Sequence, residues 1–294
     1  MSDKIFSEKW YRVIAQVFTT LIDKETLANY LDAPHWVIVD CSYDLTDKNA
    51  GRDSYLASHI KGAVFADVLD DLSGPPVTDN GRHPLPSEAV LNTLFSHLGI
   101  SHESQVIVYD NACACFAGRL WWMLRYMGHE AVAVLDGGWQ SWEKAGLPTA
   151  KEEERNANTH FQGVPRKDWL VTVDNVSVSE LLIDSRDPER YRGECEPLDK
   201  AAGHIPGAIN RFWKDNLDGN GLFKNTDKLR KEFENNFGVT DASNAVFYCG
   251  SGVTACHNLL AVAHAGLEAP RLYAGSWSDW CSDPDRPVAI GENH

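Results

Sequence analysis

Basic residues are scarce in this chain. Twenty-seven Lys and Arg face 42 Asp and Glu, a formal charge of −15 at pH 7 over 294 residues. Such a balance argues against nucleic acid and anionic membrane surfaces as partners, because both repel it. Long apolar runs are missing too: none approaches the ~20 residues that a membrane-spanning helix needs. The N-terminus, Met1-Ser-Asp-Lys-Ile-Phe6, has neither an apolar segment nor a small-residue cleavage site. No secretory signal is legible, so a cytoplasmic address is the expectation. Cysteines at metal or redox spacing are absent as well. The seven cysteines (41, 113, 115, 195, 249, 256 and 281) are odd in number and include no Cys-x-x-Cys. That pattern predicts reduced thiols, no disulfide framework and no metal site. With 43% hydrophobic and 23% charged residues, the remainder reads as globular protein long enough for two cores.

What is present centres on Ala245-Val-Phe-Tyr-Cys-Gly-Ser-Gly-Val-Thr-Ala-Cys256. Ala245 to Tyr248, after the polar Asp241-Ala-Ser-Asn244, reads as a buried strand. Ala255 to Ala265 is rich in Ala and Leu and stops at Gly266, which reads as a helix with a glycine C-cap. Between them, glycines at 250 and 252 let the backbone curl so that successive N–H groups point inward. The helix that follows adds positive potential, which favours a thiolate at Cys249. The result is an anion cradle with a thiol at its floor. A buried cysteine is most often a small apolar side chain, and a Gly-rich strand-to-helix turn is often only a phosphate cradle. Placement at the strand end, where a side chain enters the loop, favours a nucleophile.

Cys249-Gly-Ser-Gly-Val-Thr-Ala255 resembles the active-site loop of the rhodanese superfamily, in the version carried by 3-mercaptopyruvate sulfurtransferases. Thiosulfate-preferring members usually have basic residues at the two positions occupied here by Gly250 and Ser251. Related phosphatases need Cys-x5-Arg, and that Arg position is Ala255 here. The resemblance implies an enzyme of two tandem rhodanese-like α/β domains, with no cofactor. Cys249 would take the sulfane sulfur of 3-mercaptopyruvate as a persulfide and pass it to a thiol such as reduced thioredoxin, or to cyanide. Thiosulfate as the donor, or a non-enzymatic persulfide carrier, is the alternative. It also implies substrate-binding roles for Arg190, Gly250, Ser251, Gly252, Val253 and Thr254, with Ser251 as a proton relay. Arg190, in Glu189-Arg190-Tyr191, would grip the donor's anionic end, for which a guanidinium fork is suited. Arg186 would support the loop through a carboxylate. Mercaptopyruvate enzymes typically add an Arg just after a Glu-Pro element. Here that element reads Glu196-Pro197-Leu198-Asp199-Lys200, leaving only Lys200 for the task.

The chain repeats itself at an offset of about 140 residues. His59-Ile-Lys-Gly-Ala63 matches His204-Ile-Pro-Gly-Ala208, Val108-Tyr-Asp110 matches Phe247-Tyr-Cys249, and Asp136-Gly-Gly-Trp139 matches Ala274-Gly-Ser-Trp277. One domain's length per copy signifies duplication, and alternating strand and helix patterns predict two mostly parallel sheets flanked by helices. In the first copy we expect helices at 23–31, 87–98 (Ser87 as N-cap), 118–127 and 137–146. Strands are expected at 36–40, 105–110 and 131–136, with a turn at His59 feeding a strand to Phe65. The domains are set at 21–149, catalytically silent, and 176–290, catalytic, with a linker at 150–175. Silence follows from Asp110, since a carboxylate cannot carry a persulfide. Cys113 and Cys115, beside it, are expected to be ordinary thiols. His59 and His204, present in both copies, are expected to be structural. Trp10–Phe18 reads as a short helix or an arm.

Overall fold

The computed structural model describes residues 16–75, 81–176, 181–237, 245–267 and 271–292. The Trp10–Phe18 reading falls mainly outside these residues, and Asp241–Asn244 wholly so. The first unit carries β1 (Leu21–Ile22), β2 (Trp36–Asp40), β3 (His59–Ile60), β4 (Ala63–Phe65), β5 (Gln105–Tyr109), β6 (Val132–Leu135) and β7 (Thr149–Ala150). Five form a parallel sheet in the order β1-β6-β5-β2-β4, while β3 and β7 pair antiparallel. The second unit has β8 (Leu170–Val171), β9 (Leu181–Asp184), β10 (Ile209–Asn210), β11 (Ala245–Tyr248) and β12 (Arg271–Tyr273). They form a parallel sheet in the order β10-β9-β11-β12-β8. Read from the matching edge, each strand finds its counterpart: β1 with β8, β6 with β12, β5 with β11, β2 with β9, and β4 with β10. The duplication is therefore one of topology.

The central strands β5 and β11 are buried along their whole length. Their Val, Ile and Phe side chains leave no polar face, so helices must cover both sides. These are α1 (Lys24–Ala28), α2 (Ala50–Ala57), α3 (Glu88–His97), α4 (Ala117–Tyr126) and α5 (Gly138–Lys144) in the first unit. The second contributes α6 (Val173–Val176), α7 (Pro188–Tyr191), α8 (Thr226–Phe237), α9 (Ala255–His264) and α10 (Ser276–Trp280). Ser87 caps α3, its hydroxyl accepting from the Val90 N–H. Gly266, at φ 72°, follows α9, where the Leu267 N–H donates to the Val262 carbonyl and closes the last turn. No helix among the described residues is long and apolar enough to cross a membrane.

The stretch after Ala150 does not hang free. The Glu152 N–H donates to the Leu56 carbonyl, and Phe161, 2% exposed, packs edge-on against Phe95. Leu170 and Val171 then supply the edge strand of the second sheet, from within the segment expected to be linker. Apolar residues inside an otherwise polar run are the reason: each finds a sheet or core to cover it. The two units also share a core, in which Trp121 and Trp122 of α4 belong to the same buried cluster as Leu259 and Leu260 of α9. At the α4–α9 crossing Gly118 has no side chain to hold the helices apart. A Cβ there would stand 3.3 Å from the His257 backbone nitrogen.

Candidate active site

Cys249 is the first residue beyond β11, and the loop after it is pinned from three sides. Its own N–H donates to Ser276 Oγ (3.1 Å), and its carbonyl accepts from the Trp277 N–H (3.0 Å). The Gly250 carbonyl accepts from the Ser278 N–H. Gly252 sits at φ 75°, and a Cβ there would fall 2.3 Å from the Ala274 carbonyl oxygen. Glycine is required at that position for both backbone angle and space. Beneath the loop lies Arg119 of α4, wholly buried, whose Nη1 donates to the Gly252 carbonyl at 2.9 Å. Its other donors go to the carbonyls of Leu72 and His83. Burial pulls this guanidinium below its ordinary range, while the nearby thiols Cys256 and Cys249 oppose the shift. The first domain thus places a buried cation under the second domain's loop.

The first copy of the loop shows what such a loop binds. Asp110, at the place of Cys249, accepts from the N–H groups of Ala112, Ala114, Phe116 and Ala117 at 2.7–2.9 Å. In the second copy the counterparts of the first three are Ser251, Val253 and Ala255, whose N–H groups have no acceptor among the described residues. One cradle is filled by a fixed carboxylate, and the other is open above a thiol.

The open cradle faces a cleft of about 270 Å³ between the domains. Cys249, Gly250, Ser251, Val253, Thr254, Arg190 and Leu198 line it from the second domain. Tyr43, Leu45, Val68, Arg82, His83, Cys115 and Phe116 line it from the first. Of the loop residues expected at the site, Gly252 does not line the cleft; it shapes the turn. Thr254 precedes α9 but makes no side-chain cap, so its hydroxyl is left for the cleft. Cys256 is buried, donates to the Gly252 carbonyl, and is pushed up to about 12 by burial. Burial also raises the thiols of Cys113 and Cys115, with Asp110 adding to the shift in both.

Three arginines hold the cleft's rim. Arg186 is buried and paired with Asp184 and, through Nη1, with Glu196, which gives it the expected loop-supporting role. Arg190 donates through Nε and Nη2 to Glu196 and through Nη2 to Asp199 (3.2 Å). Its Nη1 and Nη2 both approach Gly250, 3.4 and 3.5 Å from where a Cβ would stand. Arg82, from the first domain, pairs with Asp199 and turns its Nη2 to the same glycine. Lys200 is exposed and does not line the cleft. Gly250 and Ser251 bring no charge of their own to the loop. The charge comes from guanidinium groups reaching over the loop.

His83 is a second residue that sequence reasoning missed. Its Nδ1 lies 2.7 Å from Ser251 Oγ. Burial, with Arg119 and Arg82 nearby, pushes this imidazole down to about 4. Near neutral pH it is therefore an uncharged ring sharing a proton with the Ser251 hydroxyl. The only local signal was Gly81-Arg-His-Pro84, a turn carrying two titratable side chains outside any apolar periodicity. His59 and His204 are buried, and each places Nδ1 2.7 Å from a tyrosine carbonyl, Tyr55 and Tyr191 respectively. Identical contacts in both copies, away from the cleft, make them structural.

With this geometry in hand, the chain can be set beside known proteins. The Rhodanese-like domain model matches it twice, over residues 23–145 and 171–283. A Pseudomonas aeruginosa protein named "Probable 3-mercaptopyruvate sulfurtransferase" is 41% identical over 279 residues, covering 92% of this chain and 98% of its own. The Mus musculus thiosulfate sulfurtransferase is 32% identical over 274 residues, covering 88% of this chain and 90% of its own. Among solved structures, the 3-mercaptopyruvate sulfurtransferase from Leishmania major superposes with a TM-score of 0.80 at 33% identity, covering 88% of this chain and 73% of that one. Matched topology, matched halves and one intact cysteine loop agree, and the chain belongs to the rhodanese family as a tandem pair of rhodanese-like domains.

Proposed function

We propose that the protein is a sulfurtransferase that moves sulfur from 3-mercaptopyruvate to a thiol through a persulfide on Cys249. The observation that carries this reading is the pair of cradles: a carboxylate fills one, and a thiol lies under free amides in the other. In the first half-reaction the Cys249 thiolate attacks the donor sulfur. An S–S bond forms, the C–S bond breaks, and its electron pair leaves on carbon as pyruvate enolate. The hydrogen of the donor thiol remains on the outer sulfur, and the Ser251–His83 pair is placed to deliver a proton to the enolate carbon. The amides of Ser251, Val253 and Ala255 hold the developing charge as an oxyanion hole does. In the second half-reaction an acceptor thiolate takes the outer sulfur and frees Cys249. We assign the reaction to the cytoplasm, with a reduced dithiol such as thioredoxin as the acceptor. All seven cysteines are unpaired, as a reducing compartment requires.

Steady-state turnover tests the proposal. With cyanide as acceptor, 3-mercaptopyruvate is expected to sustain many turnovers and to exceed thiosulfate in kcat/KM. A single loading followed by arrest identifies a sulfur carrier. Thiosulfate exceeding 3-mercaptopyruvate identifies the other donor.

A further inference from the structure

We propose that Arg82, from the catalytically silent domain, is the second guanidinium of the substrate-anion clamp and does the work of the arginine absent at Leu198. The proposal rests on the reaction assigned to Cys249 above. Its geometric basis is Gly250. A Cβ built at this glycine would lie 3.0 Å from Arg82 Nη2 and 3.4 Å from Arg190 Nη1. Two guanidinium edges from different domains therefore meet over the residue that follows the nucleophile. Asp199, its side chain only 3% exposed, ties them together, one carboxylate oxygen on Arg82 Nη1 and the other on Arg190 Nη2. These contacts use Nη1 of Arg82 and, with Glu196, Nε and Nη2 of Arg190. Arg190 Nη1 and Arg82 Nη2 have no acceptor among the described residues, and both residues line the cleft above the thiol.

Three guanidinium groups balance three carboxylates here, so what remains unspent is hydrogen-bond donors rather than net charge. Arg190 binds Glu196 and shares Asp199 with Arg82, while Arg186 takes Asp184 and also shares Glu196. Asp184, Glu196 and Asp199 are thus already engaged, and an incoming carboxylate meets the unspent Arg82 Nη2 and Arg190 Nη1 without displacing one. Burial and the adjacent Arg190 both pull the Arg82 guanidinium below its ordinary range, a repulsion that a bound anion relieves. Leu198, where the resemblance leads one to look for a second arginine, is 48% exposed at the cleft mouth and offers no donor. The glycine at 250 belongs to the same arrangement, since a side chain there would occupy the space that Arg82 uses. The ligand class is a small carboxylate or another compact oxyanion joined to a reactive sulfur. Its binding bridges the two domains.

Alkylation of Cys249 reads the clamp independently of the donor's identity. Iodoacetate carries the carboxylate that the clamp would grip, and iodoacetamide is its neutral counterpart. In Arg82→Met the iodoacetate rate is expected to fall about tenfold with the iodoacetamide rate within about twofold, and KM for 3-mercaptopyruvate to rise about tenfold. Arg82→Lys, which can still reach Asp199 but lacks the second edge, is expected to recover only part of either loss. Leu198→Arg is expected to restore the iodoacetate rate in the Arg82→Met background and to add little to the wild type. Equal loss with both reagents, or a wild-type ratio retained in Arg82→Met, overturns the proposal. Thermal melting of each variant separates misfolding from lost recognition. If 3-mercaptopyruvate fails as a donor while the iodoacetate effect persists, the donor assignment falls and the role of Arg82 stands.

Discussion

Asp110 and Cys249 occupy one place in two copies of a loop, and the amides around Asp110 show what that place selects. Four N–H groups converge on the wholly buried Asp110 carboxylate in the first copy. Asp110→Ala strands those donors, so a loss of about 3 kcal/mol or more is expected in urea unfolding. Asp110→Asn, which keeps one acceptor oxygen, should lose less. Arg119 makes a parallel case for the catalytic loop. Arg119→Met leaves the carbonyls of Leu72 and His83 without their donor and that of Gly252 with the Cys256 thiol alone. Steady-state kinetics are expected to show a fall in kcat of about tenfold or more with a smaller change in KM, because the loop is misaimed rather than the substrate released. At this scale the gathering of Cys249, Ser251 and Arg190 at one cleft was legible because each stands in a local motif. Arg82, His83 and Arg119 were not. Their partners Asp199, Ser251 and Gly252 lie more than a hundred residues away in sequence, and no local pattern encodes such a meeting.

Elements were legible where burial imposes a period. The strands at 36–40 and 245–248 and the helices around 118–127 and 255–265 form with ends shifted by a residue or two. Each is a run whose apolar positions have only one way to be covered. The helix α2, Ala50–Ala57, was missed because it buries only Gly51 and Tyr55 and so presents no apolar stripe. The helix expected at 23–31 ends at Ala28, and Tyr30 instead stacks on Trp36 at 4.3 Å. The α4–α9 contact carries a prediction of its own. A side chain at 118 points at backbone, which yields less readily than a flexible side chain, with the His257 nitrogen 3.3 Å and the Cys256 carbonyl carbon 3.4 Å from the new Cβ. Gly118→Val is therefore expected to destabilise by about 1–3 kcal/mol in urea unfolding. Activity should fall further than stability alone explains, because α9 begins at the catalytic loop.

Across the whole molecule, the domains are joined by polar contacts as well as apolar ones. His257 of α9 is fully buried, with Nε2 3.1 Å from the Cys113 carbonyl of the first domain and Nδ1 3.2 Å from Asn216. Burial pushes its imidazole down to about 3. An unfolded histidine titrates near ~6.5, so below that pH the unfolded chain binds the proton that the folded one refuses. The contribution of His257 is therefore complete above about pH 6.5 and declines as pH falls toward 3. Asp40, pushed up to about 6 by burial, has the opposite slope, so the test is a comparison of wild type with His257→Gln. The stability gap between them in urea should narrow by on the order of 2 kcal/mol between pH 7 and pH 5. Duplication could be read from repeated motifs, while the approach of Arg82 to Arg190 across the cleft could not, since it exists only once the domains are packed. The central claim is that one thiol, at the end of β11, carries the sulfur. It is tested most directly by mass spectrometry with peptide mapping after a single exposure to 3-mercaptopyruvate. The account predicts one added sulfur atom, located on Cys249 and absent from Cys249→Ser. Sulfur on Cys113, Cys115 or Cys256, or its persistence in Cys249→Ser, would contradict it.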